Sequence, residues 1–385
     1  MGPRLTVWPH LAARVPGMNA PAMTFPERAA DLALKGLAAL NLLFVALFVA
    51  TLVFSAGRAK AQDLPAACAG KDLLAQMARE EPATLARIRA EADRVVNGRG
   101  LLWRIAKEGA PPSWLFGTMH LSDPRVVSLS TQARAAFDAS STLVVETTDV
   151  LDPAKLMAAM LADPGLTMFT DGTTLLSLVP EADRAAVEAA LDRRGVPPAT
   201  VARMKPWMIS AMVSLPACEL ARKAAGAPVL DMQLAQDSEA AGKALGGLET
   251  VADQLGAMAS LPMDFHIRGL VDTLKLGDAV DDVIETMIVL YLGEETGLFW
   301  PFFHAALPRG EEDGEDGDGA AEDAAGFAAF EEAMVTARNR TMADRAVPFI
   351  EAGGAFIAVG ALHLPGEEGL VALLREKGYR VEAIR

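Results

Sequence analysis

Two stretches near opposite ends of the chain share one layout, and this repeat constrains the fold more than any other feature of the sequence. Each contains an apolar strand-like segment, a Gly-x-x-His-Leu sequence, a helical segment and a second strand-like segment, with His120 in the first stretch and His363 in the second. A strand-helix-strand order favours parallel strands with the helix packed across them. We therefore predict an α/β fold with a mixed central sheet. The helices and strands that follow the histidines are expected at residues 126–137, 142–145, 367–377 and 379–384.

The rest of the chain predicts helices around this sheet. Apolar residues at helical spacing indicate a helix-rich middle region at 153–292 and further helices within 62–100 and 331–351. Strands are expected at 101–105, 114–116 and 355–359. The Gly/Asp/Glu/Ala stretch at 309–326 has the composition of a disordered surface loop.

Composition and charge narrow the class of protein. Among the 385 residues, 51% are hydrophobic and 22% are charged, which is typical of a globular domain and not of a disordered chain. The net charge is -15, and no Lys/Arg cluster is present to bind phosphates, so nucleic acid is excluded as a partner. Eight acidic residues lie within 311–323, so the charge of the remaining chain says little about the substrate.

The N-terminus predicts export from the cytoplasm. Residues 36–57 carry no charge and are long enough to span a bilayer, and Ala59-Lys60-Ala61 fits the small-x-small pattern of a signal-peptidase site. We interpret 1–61 as a leader and 62–385 as the folded domain. A cleaved signal peptide, a retained membrane anchor and a buried core helix stay open for the apolar run. The first two place the domain in the periplasm or another extracytoplasmic space, where only the uncleaved segment would contact a membrane.

The sequence contains two cysteines, Cys68 and Cys218. In an oxidising compartment they could form one disulfide that ties the start of the folded domain to a distant helix. The alternative is a pair of buried free thiols.

The two repeated histidines predict a shared site. Ligands of open α/β sheets bind beyond the carboxyl ends of the strands, and both histidines follow such an end. A lone histidine beside a strand is usually structural, as we interpret His266 and His304, but two in matching frames strengthen the functional interpretation. The apolar strand 142–145 ends at Glu146. Two histidines and a carboxylate are a common ligand set for a catalytic divalent metal, which lowers the pKa of bound water and polarises a carbonyl.

An ordered set of short motifs runs across residues 68–385. They are Gly117-Thr-Met-His120, Val144-Val-Glu146, Lys205-Pro-Trp207, Gly247-Leu-Glu249-Thr250 with Gln254, Arg338-Asn339, Gly360-Ala-Leu-His363-Leu-Pro-Gly366 and Gly369…Leu373-Leu374…Gly378-Tyr379. In this order the motifs resemble those of the TraB/GumN family. The family often carries Gly-Val-Asp where this chain has Val229-Leu230-Asp231, and the acidic stretch looks like an insertion.

The resemblance implies a fold and a chemistry. The family is similar to Tiki metalloproteases, which use two GxxH motifs with a divalent metal such as manganese or cobalt, and to a wider superfamily with erythromycin esterase-like and haem-binding ChaN-like members. By this resemblance, His120 and His363 are metal ligands or catalytic bases with Glu146 beside them, and zinc is a further candidate metal. Arg338 would orient a carboxylate or stabilise an oxyanion, and Asn339 would bond to a ligand.

Simpler roles stay open for three of these motifs. Arg338 could pair with Glu331, Glu332 or Asp344 on the surface. Glu249 could contact the residues that bind the metal, make a surface contact, or be a carboxylate at a helix N-terminus. Lys205-Pro-Trp207 could simply begin a helix.

Three functions are compatible with these observations. The first is a metal-dependent hydrolase of peptide or amide bonds, acting on a peptide or a small molecule. The second is a non-catalytic protein that binds haem or a peptide at the same site. The third is a maintenance or assembly protein whose site has no chemistry.

Overall fold

The computed structural model describes residues 68–306 and 318–384, and within them six strands form one mixed sheet. The sheet order is β4-β3-β5-β2-β1-β6. This architecture confirms the predicted α/β fold with a mixed central sheet. The strands are β1 (Leu102–Ala106), β2 (Ser113–Thr118), β3 (Thr142–Val145), β4 (Ala244–Gly247), β5 (Ala355–Gly360) and β6 (Arg380–Ala383).

Helices account for most of the remaining described residues. They are α1 (Leu73–Glu80), α2 (Pro82–Ala92), α3 (Pro124–Val127), α4 (Thr131–Ala139), α5 (Pro153–Ala162), α6 (Leu175–Leu178), α7 (Glu181–Arg193), α8 (Pro198–Val201), α9 (Pro206–Val213), α10 (Ala217–Ala224), α11 (Leu230–Ala240), α12 (Val251–Ala259), α13 (Met263–Leu276), α14 (Ala279–Leu292), α15 (Phe299–Ala306), α16 (Asp318–Glu331), α17 (Ala337–Ala352) and α18 (Leu370–Glu376). A π-helical turn at Glu332–Thr336 joins α16 to α17.

The centre of the sheet is built from chain segments that are far apart in sequence. Strand β5 lies between β2 and β3 and is parallel to both, with Thr118 opposite Gly360 and Val145 opposite Ala358. Strand β1 pairs antiparallel with both β2 and β6. The strands of each strand-helix-strand stretch therefore run in the same direction without being neighbours. As a result, the carboxyl ends of β2, β5 and β3 meet at one edge of the sheet.

Buried side chains on both faces of the sheet anchor this edge. On one face, Phe116 and Phe356 pack against Phe137 of α4 and against buried residues of α11 and α14. On the other face, Ile357 and Val359 pack against α17 and α18. Every residue of β5 from Ala355 to Val359 is at most 1% exposed, which explains its continuous apolar sequence.

The sequence-based boundaries differ from the structure at three places. The sequence did not predict β4, which lies at the sheet edge inside the helix-rich region. The helix expected at 126–137 is divided into α3 and α4, because Ser130 caps the second helix by accepting a hydrogen bond from the Ala133 N–H. Residues 318–326 of the expected acidic loop are helical in α16, since this half of the stretch is rich in alanine, the best helix former. Residues 309–317 lie outside the described residues.

The predicted leader at 1–61 also lies outside the described residues. Among the helices of 68–306 and 318–384, none combines the length and apolar character needed to cross a bilayer.

The disulfide between Cys68 and Cys218 is confirmed. It joins the first described residue to α10, with the two Cα atoms 5.7 Å apart and a sequence separation of 150 residues. The chain before α1 is thereby tied to the helical middle of the domain.

Candidate functional site

The adjacent ends of β2, β5 and β3 bring His120, His363 and Glu146 together. His120 lies two residues after β2, Glu146 directly follows β3, and His363 ends a 3₁₀ turn (Ala361–His363) after β5. The Nε2 atoms of His363 and His120 lie 3.7 and 3.9 Å from the same atom, Oε1 of Glu146. We call these three residues the His–Glu cluster.

The Glu146 carboxylate at the centre of the cluster accepts hydrogen bonds from three groups. Oε1 accepts the Gly360 N–H at 2.7 Å, in addition to facing the two imidazoles. Oε2 accepts hydrogen bonds from Arg338 Nη2 at 2.7 Å and from Gln254 Nε2 at 3.0 Å. Its side chain is 8% exposed, so these bonds replace the water that a buried carboxylate loses.

His363 is a buried imidazole whose orientation is set by Asn339. Its Nδ1 lies 2.7 Å from Asn339 Oδ1, while Asn339 Nδ2 donates to the Glu368 carbonyl at 2.9 Å. Because the amide oxygen can only accept, Nδ1 of His363 carries the proton in this arrangement. The lone pair of Nε2 then points toward the cluster.

His120 is oriented in the same way by a carboxylate. Its Nδ1 lies 2.8 Å from Asp231 Oδ2, and the Thr118 hydroxyl donates to Asp231 Oδ1 at 2.7 Å. Unlike His363, the His120 side chain is 58% exposed. The cluster therefore reaches solvent on the His120 side.

Arg338 bridges Glu146 to a second carboxylate. Its Nη2 lies 2.7 Å from both Glu146 Oε2 and Glu249 Oε2, and its Nε also donates to Glu249 at 3.1 Å. A third nitrogen, Nη1, donates to the Met334 carbonyl in the π-helical turn that precedes α17. Single π turns are frequent at functional sites, and this one lies directly before the two α17 residues that contact the cluster.

The glycines of the two GxxH segments act differently. A Cβ on Gly117 would lie 2.8 Å from Leu364 Cδ1 and 3.0 Å from Ala361 Cα, so this glycine allows the segment after β5 to pack closely against β2. A Cβ on Gly360 would lie 3.2 Å from Glu146 Oε1 and 3.8 Å from His120 Nε2. Gly360 thus leaves space inside the cluster.

The electrostatics of the cluster separate the two imidazoles. The negative charge of Asp231 is the largest influence on His120 and, with the charge of Glu146, raises its pKa to about 9. Burial dominates at His363 and lowers its pKa to about 4. Burial alone would raise the pKa of Glu146, but the charges of the histidines and Arg338 and the Gly360 N–H lower it to about 2.

The donor atoms of the cluster are of the kind that bind divalent metals, but they lie farther apart than metal ligands usually do. Both imidazoles present Nε2 while Nδ1 is held by an oxygen, which is the usual arrangement of metal-binding histidines. The carboxyl groups of Glu146, Glu249 and Asp231 outnumber the one guanidinium of Arg338, so the charges around the cluster favour a cation.

The spacing would have to contract around an ion. Two ligands of a tetrahedral zinc ion lie roughly 3.4 Å apart, somewhat less than the two separations measured here. Within residues 68–306 and 318–384, no group of three or more His, Cys, Asp or Glu side chains is close enough to hold an ion as it stands. The two imidazoles and the carboxylate would therefore have to lie closer together to hold an ion.

The structure places all five predicted site residues in one region. His120, Glu146 and His363 form the cluster, Arg338 contacts Glu146, and Asn339 contacts His363. Asn339 is 1% exposed, and its amide bonds to His363 and to the Glu368 carbonyl. Its contact with a ligand stays a prediction. The surface pairs considered for Arg338 are also absent among the described residues, because Glu249 and Glu146 occupy its guanidinium.

Sequence reasoning assigned no role to Asp231, Thr118 or the Gly360 N–H. Asp231 lies 111 residues from His120, at the start of α11, and no spacing rule relates the two. The one available signal was the Asp of the family's Gly-Val-Asp motif, which this chain retains after a changed Val-Leu. Glu249 proves to be the main partner of Arg338 and not a free carboxylate at a helix start.

Comparisons with known proteins place the chain among relatives of metalloproteases. A sequence model of the TraB/PrgY/gumN family matches residues 101–383. The chain is 25% identical over 328 residues to Metalloprotease TIKI2 of Danio rerio, which covers 73% of this chain and 60% of that relative. It is also 25% identical over 325 residues to Metalloprotease TIKI1 of Homo sapiens, which covers 73% of this chain and 61% of that relative. The chain thus spans about three-fifths of the length of these relatives. No solved structure matches it.

Proposed function

The chain belongs to the TraB/PrgY/gumN family, and from this premise we propose that it is a metal-dependent hydrolase of peptide or amide bonds. Distant relatives named as metalloproteases support a hydrolase. One observation carries the proposal: two imidazole Nε2 atoms face one carboxylate oxygen from the ends of neighbouring parallel strands. Such an edge is where α/β folds bind their ligands.

The residues in and around the His–Glu cluster would have different roles in this reaction. His120, His363 and Glu146 would hold a manganese, cobalt or zinc ion, which when bound lowers the pKa of a coordinated water and polarises a substrate carbonyl. Arg338 and the Gly360 N–H keep the Glu146 carboxylate in place and ionised, while Asp231 and Asn339 fix the two rings. The exposed side of His120 is the approach for the substrate.

The same proposal includes a location outside the cytoplasm and a peptide or small-molecule substrate. The Cys68–Cys218 disulfide supports this location, since disulfides persist in oxidising compartments, and so does the uncharged run at 36–57.

The proposal also treats the two GxxH segments as paired halves of one site, as in the wider superfamily with erythromycin esterase-like members that the motifs resemble.

Metal content and cleavage test the proposal together. We expect the full chain, purified without chelator, to carry close to one divalent ion and to cleave members of a peptide library with added Mn²⁺ or Co²⁺. His120→Ala and His363→Ala should lose both the ion and the cleavage. His266→Gln is the matched control, because that histidine is buried in α13 and bonds to the Met258 carbonyl, far from the cluster in sequence.

A second candidate function is non-catalytic binding of haem or a peptide at the same edge. The absence of a ready three-ligand group among residues 68–306 and 318–384 favours it. This candidate would be favoured if the wild-type protein contained no metal and cleaved no peptide. It would also have to give a Soret band on haem titration that His363→Ala abolishes.

A further inference from the structure

A cavity of about 550 Å³ lies beside the His–Glu cluster. Its lining includes Asn339 and Leu362, and Asn339 is the residue that bonds to His363. The other walls come from the ends of α2 and α15, from α16 with the π-helical turn, and from the loop before α18. The volume is in the range of pockets that bind small ligands or single side chains.

The charged groups that line the cavity are acidic. No Lys or Arg is among its lining residues. Glu332 and Glu368 both pair with Arg340, Glu91 pairs with Arg87, and neither arginine lines the cavity. Glu331 and Glu367, in contrast, have no hydrogen bond or ion pair within residues 68–306 and 318–384.

Glu331 is the half-buried member of this acidic lining. Burial is the largest influence on its carboxyl group and raises its pKa, with His304 as the nearby group that opposes the rise. A partly desolvated carboxylate without a hydrogen-bond partner is costly, and a cationic ligand would remove that cost.

Two uncharged groups add directional chemistry to the cavity. Thr296 is 6% exposed, and its Oγ1 is buried without a hydrogen-bond partner among the described residues. A hydroxyl oxygen can accept a hydrogen bond from a ligand N–H. Trp300 also lines the cavity, and an indole ring attracts a guanidinium or ammonium group over its face.

We propose that this cavity binds the side chain of an arginine residue of the peptide substrate, with Glu331, Thr296 and Trp300 as its contacts. A guanidinium offers five N–H donors, enough to satisfy a carboxylate and a hydroxyl at once while its plane lies on an aromatic ring. The assignment rests on the proposed function, because it takes the adjacent cluster as the place where the peptide is cleaved.

Binding of a small probe tests the cavity without any turnover. We expect the full chain, kept in EDTA, to bind Nα-acetyl-arginine methylamide about tenfold more tightly than the neutral isostere Nα-acetyl-citrulline methylamide in calorimetric titrations. Glu331→Gln should remove this preference. Thr296→Val should weaken arginine binding several-fold, and it retains the side-chain shape without breaking a hydrogen bond in the free protein. Glu188→Gln, an exposed carboxylate on α7, is the matched control and should bind as the wild type does.

The outcomes separate the cavity from the hydrolase. If the protein binds the arginine probe preferentially, loses this preference in Glu331→Gln and cleaves no peptide, the assignment of the cavity holds and the proposed function is refuted. Cleavage without a preference for arginine over glutamine in otherwise identical peptides, with equal binding of the two probes, would overturn the cavity assignment alone.

Discussion

The two imidazoles of the His–Glu cluster are fixed by partners of different charge. Asp231 is a carboxylate and raises the pKa of the exposed His120, whereas Asn339 is a neutral amide beside the buried His363. A carboxylate partner makes an imidazole a stronger base and a stronger metal ligand. The two histidines are therefore unequal despite their matching sequence motifs, and His120 should depend more on its partner.

Replacing Asp231 by Asn should weaken the site through His120. The substitution retains the shape and one hydrogen bond but removes the charge, and loss of such a partner typically lowers metal affinity or activity by about 10- to 100-fold. Metal affinity from chelator competition and kcat against KM on a cleaved peptide are the measurements. Asp237→Asn on the same helix is the control, since Asp237 pairs with Arg134 at the surface. Equal affinities in both variants would show that Asp231 only supports the fold.

The sequence predicts the members of the cluster better than their partners. His120, Glu146 and His363 can be found because each follows an apolar strand-like segment, and strand ends are where α/β sites form. Asp231 and Gln254 lie on helices whose positions depend on tertiary packing. Their contacts with the cluster span 111 and 108 residues, a distance over which periodicity carries no information.

At the scale of elements, the two glycines at the strand ends predict opposite defects. Gly117→Ala should destabilise the protein by about 1–3 kcal/mol, because its new Cβ meets the backbone of Ala361 and the Leu364 side chain. Gly360→Ala should fold normally, since its φ of -51° suits any residue, yet lose metal and activity as the methyl enters the cluster. Chemical denaturation measures the first effect, and metal content of the folded protein measures the second. A stable, fully active Gly360→Ala would contradict the assignment of space to that glycine.

The elements were predictable where local chemistry decides them. Strand β3 and the start of β5 match their expected positions because long apolar runs must be buried. Strand β4 was missed because Ala-Leu-Gly-Gly has little strand propensity and forms a strand only through pairing with β3. The order of the strands could not be predicted either, because no local sequence pattern indicates that β5 lies between β2 and β3.

At the scale of the whole molecule, the disulfide should contribute strongly to stability. Closing a loop of 150 residues lowers the entropy of the unfolded chain enough to stabilise the fold by up to about 5 kcal/mol. The Cys68→Ser/Cys218→Ser double variant should therefore unfold at clearly lower denaturant concentration than the wild type. A reducing agent should shift the wild type toward the variant and leave the variant unchanged. Identical midpoints with and without the bridge would show that the joined segment is already held by its packing.

The central position of β5 has a consequence for when the site can form during protein synthesis. Glu146 accepts a hydrogen bond from the Gly360 N–H, which lies 214 residues further along the chain. Strands β2 and β3 likewise lack their common neighbour until β5 is synthesised. A nascent chain therefore cannot assemble the His–Glu cluster until β5 and His363 have been synthesised. A single proteolytic cut before β5 would likewise separate Gly360 and His363 from Glu146.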